Sequence, residues 1–142
     1  DEAEKRWGVR DIADRLSDNG KAILVEHTER QALLTDCLTM CKNIGLSMDI
    51  LDFDLASRLL IAGTGLKFTP EKVDEALKSV IDRDRNMNID FGVTAEQDTL
   101  PKRFTHEPLK EGASKGQVVP IGRMVREYYQ AKGWNDQGVP QD

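Results

Sequence analysis

Helical periodicity runs through nearly all of the sequence, and no stretch alternates apolar and polar residues as a half-buried β-strand does. From Lys21 onward, apolar side chains recur at three- and four-residue spacing, which gives a helix one apolar side. Thr69 and Pro70 form a strong helix start, because Thr is a good N-cap and Pro loses no hydrogen bond at the first helical position. The sequence therefore predicts a mainly α fold of about five helices.

Capping and turn residues predict where the helices begin and end. They place a short lead-in helix at residues 11–16, within a lead-in segment 1–19. They also predict a helix from Lys21 that ends between Leu34 and Gly45, a helix capped by Asp54 that ends at the turn Gly63 to Gly65, and a last helix that starts at Ile121 and ends at Gly133.

Residues 92–119 lack helical periodicity and contain Gly92, Pro101, Pro108, Gly112 and Gly116. A connection of this length is unusual inside a compact domain. We therefore expect an extended irregular segment that wraps another surface, within a single helical domain formed by residues 1–142. Since the first residue is Asp rather than Met, we also expect the chain to have been cut from a longer protein.

Charge and composition argue against several classes of partner. The net charge of -5, with no Lys/Arg cluster, offers no electrostatic footprint for nucleic acid. No apolar run approaches the roughly 18 residues of a membrane span, and the charged start does not resemble a signal peptide. The presence of only two cysteines is atypical of a disulfide scaffold, so we expect a cytoplasmic protein.

Cys37 and Cys41 are the candidate metal-binding residues, and their spacing alone leaves three interpretations open. On a continuous helix, the i, i+4 spacing would place both sulfurs on one face. A zinc site would need further ligands, and His27 and His106 stand at no recognised spacing. The thiols are therefore buried packing residues, zinc ligands, or a source of one ligand to an iron-sulfur cluster completed by cysteines elsewhere. We expect His27 to pack in a core or interface and assign His106 no role.

Acidic and amide side chains alternate between Asp82 and Asp90 in a pattern similar to a calcium-binding loop. Met87 stands where that loop needs Gly for its sharp turn, and Val93 stands where it needs a bidentate Glu. We therefore expect a solvated helix end at this place. We interpret four aromatic residues as packing anchors: Trp7, Tyr128, Tyr129 and Trp134.

A series of short motifs follows in order along most of the chain. Gly20-Lys21-Ala22 leads through a helix to Asp36–Cys41 (DCLTMC), and Phe68–Glu71 (FTPE) starts another helix. The further matching positions are Thr64-Gly65, Asn88, Gly92, Asp98–Pro101, Arg103-Phe104, Glu107–Leu109, Lys115–Val119, Glu127–Tyr129, Gly133-Trp134 and Gly138–Pro140. Over roughly residues 20–140, this order resembles the C-terminal part of the tungsten-containing aldehyde:ferredoxin oxidoreductases.

The resemblance implies a cofactor site. Members of that family bind a tungsten bis-pterin and a 4Fe-4S cluster, with three cluster cysteines on an upstream C-x-x-C-x-x-x-C run and a fourth closing an Asp-Ser-Leu-Gly-Leu-Cys element. By this resemblance, Cys41 is the iron-sulfur cluster ligand, Asp36 hydrogen-bonds the pterin, and Leu38 and Met40 contact the cofactor. These residue types suit the task, because thiolate is a soft iron ligand and carboxylate accepts hydrogen bonds from ring N–H groups.

The resemblance also implies an enzyme that oxidises small aldehydes to carboxylic acids and passes electrons to ferredoxin or another carrier. Thr39, Met40 and Cys37 replace the family's Gly, second Leu and Ser, which suggests a divergent branch. The alternatives are a benzoyl-CoA reductase-type tungsten enzyme acting on an acyl-CoA, or a non-catalytic helical binding module. Because the upstream domains and the three-cysteine run lie outside this chain, we expect the fragment alone to bind neither cofactor and to be inactive.

Overall fold

The computed structural model describes residues 2–48 and 50–141, and across these residues the secondary structure is helical, with no β-strand. The mainly α prediction is confirmed. Asp1, whose identity prompted the expectation of a longer chain, lies outside the described residues. The elements are α1 (Glu2–Trp7), α2 (Lys21–Cys37), a π-helix (Asn43–Ser47), α3 (Phe53–Thr64), α4 (Pro70–Asp90), a 3-10 turn (Ala95–Gln97), α5 (Lys102–Thr105) and α6 (Ile121–Lys132).

The chain divides into two compact units, one comprising residues 1–26 and 89–142 and the other residues 27–88. The 27–88 unit is built from most of α2, the π-helix, α3 and most of α4. Its core consists of the buried residues Leu34, Leu51, Ala56, Val73 and Leu77. This core supports the C-terminal end of α2, where the candidate cofactor residues lie. That the chain folds as a single domain stays a prediction.

Helix α4 begins where the sequence predicts. The Lys72 backbone N–H donates to Thr69 Oγ1 at 3.3 Å, and Pro70 is the first helical residue. The pKa of Glu71 is lowered because the Thr69 hydroxyl and then the Glu71 backbone N–H hydrogen-bond to its carboxylate. Further along, α4 continues to Asp90, so the acidic stretch forms a helix end rather than a calcium loop, as expected.

The predicted cap of α3 is wrong by two residues. Asp52, rather than Asp54, precedes the helix with extended backbone (φ -102°, ψ 177°), and its carboxylate accepts from the Leu55 N–H at 2.7 Å. Asp54 lies in the first turn, where a negative charge interacts favourably with the helix dipole. The end of α3 follows the prediction, since Gly65 caps it with a left-handed backbone (φ 71°).

The lead-in helix lies at Glu2–Trp7 instead of the predicted 11–16, where the chain forms turns. Asp11 has a left-handed backbone (φ 58°), which interrupts a helix, and its N–H donates to Glu4 Oε1 at 2.8 Å. Ile12 next to it is fully buried, and its carbonyl accepts from Lys21 Nζ at 2.5 Å. Tertiary contacts have therefore overridden the local helical pattern.

Residues 92–119 are irregular, as predicted, apart from the 3-10 turn and the single-turn helix α5. The segment is tied to α6 through a hydrogen bond from the buried Tyr129 hydroxyl to the Asp98 carboxylate. Tyr129 also contacts the ring of Trp134, with centroids 6.0 Å apart. These contacts confirm the packing role of the aromatic residues near the C terminus. Gly133 ends α6 with a left-handed backbone, also as predicted.

Bilayer crossing requires a long and strongly apolar helix, and none of the helices within residues 2–48 and 50–141 meets that requirement.

Candidate functional site

Helix α2 ends in a Schellman turn formed by the candidate cofactor residues. The Thr39 N–H donates to the Asp36 carbonyl at 3.0 Å. The Met40 N–H donates to the Thr35 carbonyl, also at 3.0 Å. These two bonds define the motif, and the half-buried Met40 packs against the core of the 27–88 unit as the apolar contact that commonly accompanies it. The turn redirects the chain immediately before Cys41.

Thr39 adopts a left-handed backbone conformation, with φ of 53°. This is the position of the Schellman turn that Gly usually occupies, because Gly has no Cβ to clash there. It is also the position at which the family element named above has its Gly. The left-handed backbone at Thr39 is one that Gly would adopt readily, whereas the β-branched side chain of Thr39 stores conformational strain in the turn.

Thr39→Gly is expected to raise the free energy of unfolding of the 27–88 unit by about 1 kcal/mol. Relief of left-handed strain, about 1–3 kcal/mol, exceeds the roughly 0.5–1 kcal/mol of additional backbone entropy that Gly loses on folding. Urea denaturation followed by circular dichroism measures the change. The matched control is Thr28→Gly within α2, which has no such strain to relieve and should be slightly destabilising. A destabilising Thr39→Gly would show that the turn is not strained.

Both thiols are free and exposed, so the interpretation of Cys37 and Cys41 as buried packing residues is wrong. Cys37 is the last residue of α2, whereas Cys41 follows the Schellman turn. The continuous helix that would place both sulfurs on one face is therefore not formed. Cys41 alone occupies the position that closes the family element, which distinguishes the two thiols by their place in the backbone.

The Asp36 carboxylate faces Lys42 across the turn, with Lys42 Nζ 3.1 Å from Asp36 Oδ2. The two side chains are 53% and 57% exposed, so this pair contributes only about 0–1 kcal/mol to stability in water. Leu38 and Met40 are half-buried and pack against the core of the unit, which attaches the turn to that core. Their predicted contact with a cofactor stays a prediction, as do the roles of Asp36 and Cys41.

A close approach of backbone to side chain fixes the chain beyond Cys41. Gly45 in the π-helix is buried, and a Cβ placed on it would overlap the Thr35 hydroxyl and lie 3.3 Å from the Thr35 Cβ. Thr35 has little freedom to move, because it is fully buried and its hydroxyl donates to the Gln31 carbonyl at 2.8 Å. The turn is therefore held on both sides: by Met40 in the core and by Gly45 against α2. Sequence reasoning used Gly45 only as a helix-end marker and missed this contact.

Among the residues that the structure describes, no three His, Cys, Asp or Glu side chains come together as a metal-binding group. Within the 27–88 unit, the two cysteines and His27 therefore do not form a zinc site. His27 packs edge-on against Phe53, with ring centroids 6.4 Å apart, as expected for a packing histidine. His106 Nδ1 lies 2.6 Å from Thr105 Oγ1 in an exposed position. Cys41 can offer one thiolate to a ligand set whose other members come from elsewhere.

Comparison with known proteins matches residues 2–142 to the family model described as aldehyde ferredoxin oxidoreductase, domains 2 & 3. The chain is 32% identical over 130 residues to the tungsten-containing aldehyde ferredoxin oxidoreductase of Pyrococcus furiosus. It is 31% identical over 131 residues to the protein of the same name from Thermococcus kodakarensis. Each match covers 89% of this chain and 21% of the relative, so the chain spans about a fifth of the length of these curated relatives.

Proposed function

Because the chain belongs to the aldehyde ferredoxin oxidoreductase family, we propose that it is the part of a tungstopterin oxidoreductase that helps hold the pterin and the 4Fe-4S cluster. The parent enzyme would oxidise aldehydes to carboxylic acids and pass the electrons to ferredoxin. The observation that supports this most strongly is the exposed Schellman turn, which presents Asp36 and Cys41 in the order of the family's cofactor element.

The residues of the turn fit both cofactors chemically. The Cys41 thiol is exposed and engaged in no disulfide, and thiolate is the ligand that iron-sulfur clusters require. The exposed Asp36 carboxylate is an acceptor suited to the N–H groups of a pterin ring. When bound, the tungsten centre and the cluster would supply the redox chemistry. The chain would contribute Cys41 as a cluster ligand and Asp36 as a pterin-orienting residue.

Having both residues on one turn has a structural consequence. Asp36 lies in the last turn of α2, and Cys41 follows the reversal that Met40 and Gly45 hold in place. A pterin bound to Asp36 and a cluster bound to Cys41 would therefore be fixed relative to each other by the same packed segment. A fixed separation suits electron transfer from the tungsten centre to the cluster.

Exposed apolar side chains support the proposal that further domains of the parent protein cover this chain. Phe91 is 84% exposed, Leu109 is 56% exposed and Phe104 is 47% exposed, all in or next to the irregular segment 92–119. Burying such side chains is favourable by about 25 cal/mol per Å² of apolar area.

We also propose a cytoplasmic location, because two free exposed thiols suit a reducing compartment.

The experiment that tests this function uses the full-length protein purified without oxygen. We expect it to contain tungsten and iron and to reduce ferredoxin when an aldehyde is supplied, as followed by elemental analysis and by the absorbance of ferredoxin. The corresponding carboxylic acid serves as the control substrate and should give no reduction. A protein that lacks tungsten, or that reacts with an aromatic acyl-CoA and with no aldehyde, would contradict the proposal.

A further inference from the structure

We propose that Lys42 is a positioning residue for the cofactor element, the segment Asp36–Cys41. The Lys42 ammonium holds the Asp36 carboxylate and offsets its negative charge beside the proposed cluster ligand Cys41. The inference rests on the proposed function. Its geometric basis is the 3.1 Å separation between Lys42 Nζ and Asp36 Oδ2, which bridges the two sides of the Schellman turn. Lys42 directly follows Cys41, so its positive charge lies next to the proposed iron ligand in the chain.

The ion pair joins the end of α2 to the residue that precedes the π-helix. Asp36 belongs to the last turn of α2, where its carbonyl accepts the Thr39 N–H. Lys42 has helical backbone angles (φ -58°, ψ -26°) and precedes the π-helix whose Gly45 is packed against α2. Because both residues lie beside hydrogen-bonded or packed backbone, the lysine side chain needs only to extend to meet the carboxylate.

The physical effect of Lys42 should grow in the parent enzyme. In this chain by itself, the side chains of Asp36 and Lys42 are exposed to water, which screens their charges. When the cofactors and further domains cover the turn, water is displaced and each charge acts more strongly on its surroundings. The reduction potential of an iron-sulfur cluster depends on the net charge around it. Loss of the Lys42 ammonium would leave the Asp36 charge uncompensated and disfavour the reduced cluster, which carries one more electron.

The test compares Lys42→Met and Lys42→Arg in the full-length protein by redox titration of the cluster, followed by electron paramagnetic resonance. For Lys42→Met we expect the ratio of reduced to oxidised cluster at a fixed potential to fall roughly tenfold, equivalent to about 59 mV for a one-electron couple. Lys42→Arg should keep the wild-type reduction potential, because arginine carries the same positive charge. The control is Lys78→Met, which removes one positive charge from an exposed position on α4 and should leave the potential unchanged.

A second pair of variants separates a charge effect from general damage to the turn. Asp36→Asn should shift the potential in the opposite direction, and the double variant with Lys42→Met should return close to wild type. An unchanged potential in Lys42→Met, or an equal fall in Lys42→Arg, would overturn the inference. If Lys42→Met retains no cluster, retention in Lys42→Arg supports the positioning role and loss in both overturns it.

The Cys41→Ser variant separates the role of Lys42 from the proposed function. If Cys41→Ser keeps a full cluster, the proposed ligand is wrong whatever Lys42 does, and the inference falls with it. If Cys41→Ser loses the cluster while Lys42→Met leaves the potential unchanged, only the role of Lys42 is refuted.

Discussion

Leu34→Ala is expected to lower the free energy of unfolding of the 27–88 unit by about 3–5 kcal/mol, because it removes a central side chain and leaves a cavity. Leu34 is 2% exposed and lies in one cluster with Leu51, Ala56, Val73 and Leu77. Urea denaturation followed by circular dichroism at a helical wavelength measures the loss. Circular dichroism reports on this unit because residues 27–88 are mostly helical. Tryptophan fluorescence would not, because both tryptophans belong to the other unit.

The matched control for this variant is Leu33→Ala, which removes the same number of atoms from the neighbouring position of α2. Leu33 is only half-buried at the edge of the core, so we expect a smaller loss, about 1–2 kcal/mol. Equal losses for the two variants would contradict the position assigned to the core beneath the cofactor element.

Gly45→Ala is expected to destabilise the same unit by about 2–3 kcal/mol. The added methyl group would overlap the hydroxyl of Thr35, a fully buried side chain that cannot move aside without breaking its hydrogen bond to Gln31. The same denaturation experiment measures this effect. Because Gly45 packs the segment after Cys41 against α2, the variant should also loosen that segment, which hydrogen exchange of the π-helix amides would detect.

Gly63 provides a control of opposite sign. It is helical in α3, and an added Cβ there would contact nothing within 4 Å. Gly63→Ala should therefore stabilise the unit by about 0.5–1 kcal/mol through reduced backbone entropy in the unfolded state. Combining Gly45→Ala with Thr35→Ala should cost less than the sum of the two single variants, because the double variant has no hydroxyl to overlap. A stabilising Gly45→Ala, or strict additivity, would show that the close approach does not exist.

Several helix boundaries could be predicted because their signals are local. Thr69 and Pro70 specify the start of α4. The Thr69 hydroxyl accepts a backbone N–H of the first turn, and Pro70 has no N–H that would be left unbonded there. Gly65 and Gly133 specify the ends of α3 and α6 because left-handed backbone favours glycine. At each of these positions, a few consecutive residues contain the whole physical reason for the boundary.

Other features depend on contacts between distant residues and could not be predicted in this way. The left-handed conformation of Thr39 conflicts with the preference of a β-branched residue, and it is held by Met40 packing into the core. Residues 11–16 have a helical pattern, but burial of Ile12 and its bond from Lys21 produce turns instead. In both cases tertiary packing outweighs the local preference.

The candidate site likewise combines features that the sequence predicts with features that depend on tertiary contacts. Periodicity and spacing left Cys37 and Cys41 equivalent, and only the resemblance to a family element selected Cys41 and Asp36. The structure adds the physical difference between the two thiols, because one ends α2 and the other follows a fixed turn. The ion pair between Asp36 and Lys42 and the packing of Gly45 have no spacing rule by which sequence reasoning could find them.

The central claim is that Cys41 is the ligand that this chain contributes to an iron-sulfur cluster. The most direct measurement is the iron content and electron paramagnetic resonance spectrum of full-length Cys41→Ser and Cys37→Ser proteins, purified side by side without oxygen. We expect Cys41→Ser to lose most of its cluster signal, because serine is a poor ligand for iron in such clusters, and Cys37→Ser to keep a signal close to wild type. An intact cluster in Cys41→Ser, or its loss in Cys37→Ser alone, would contradict the account.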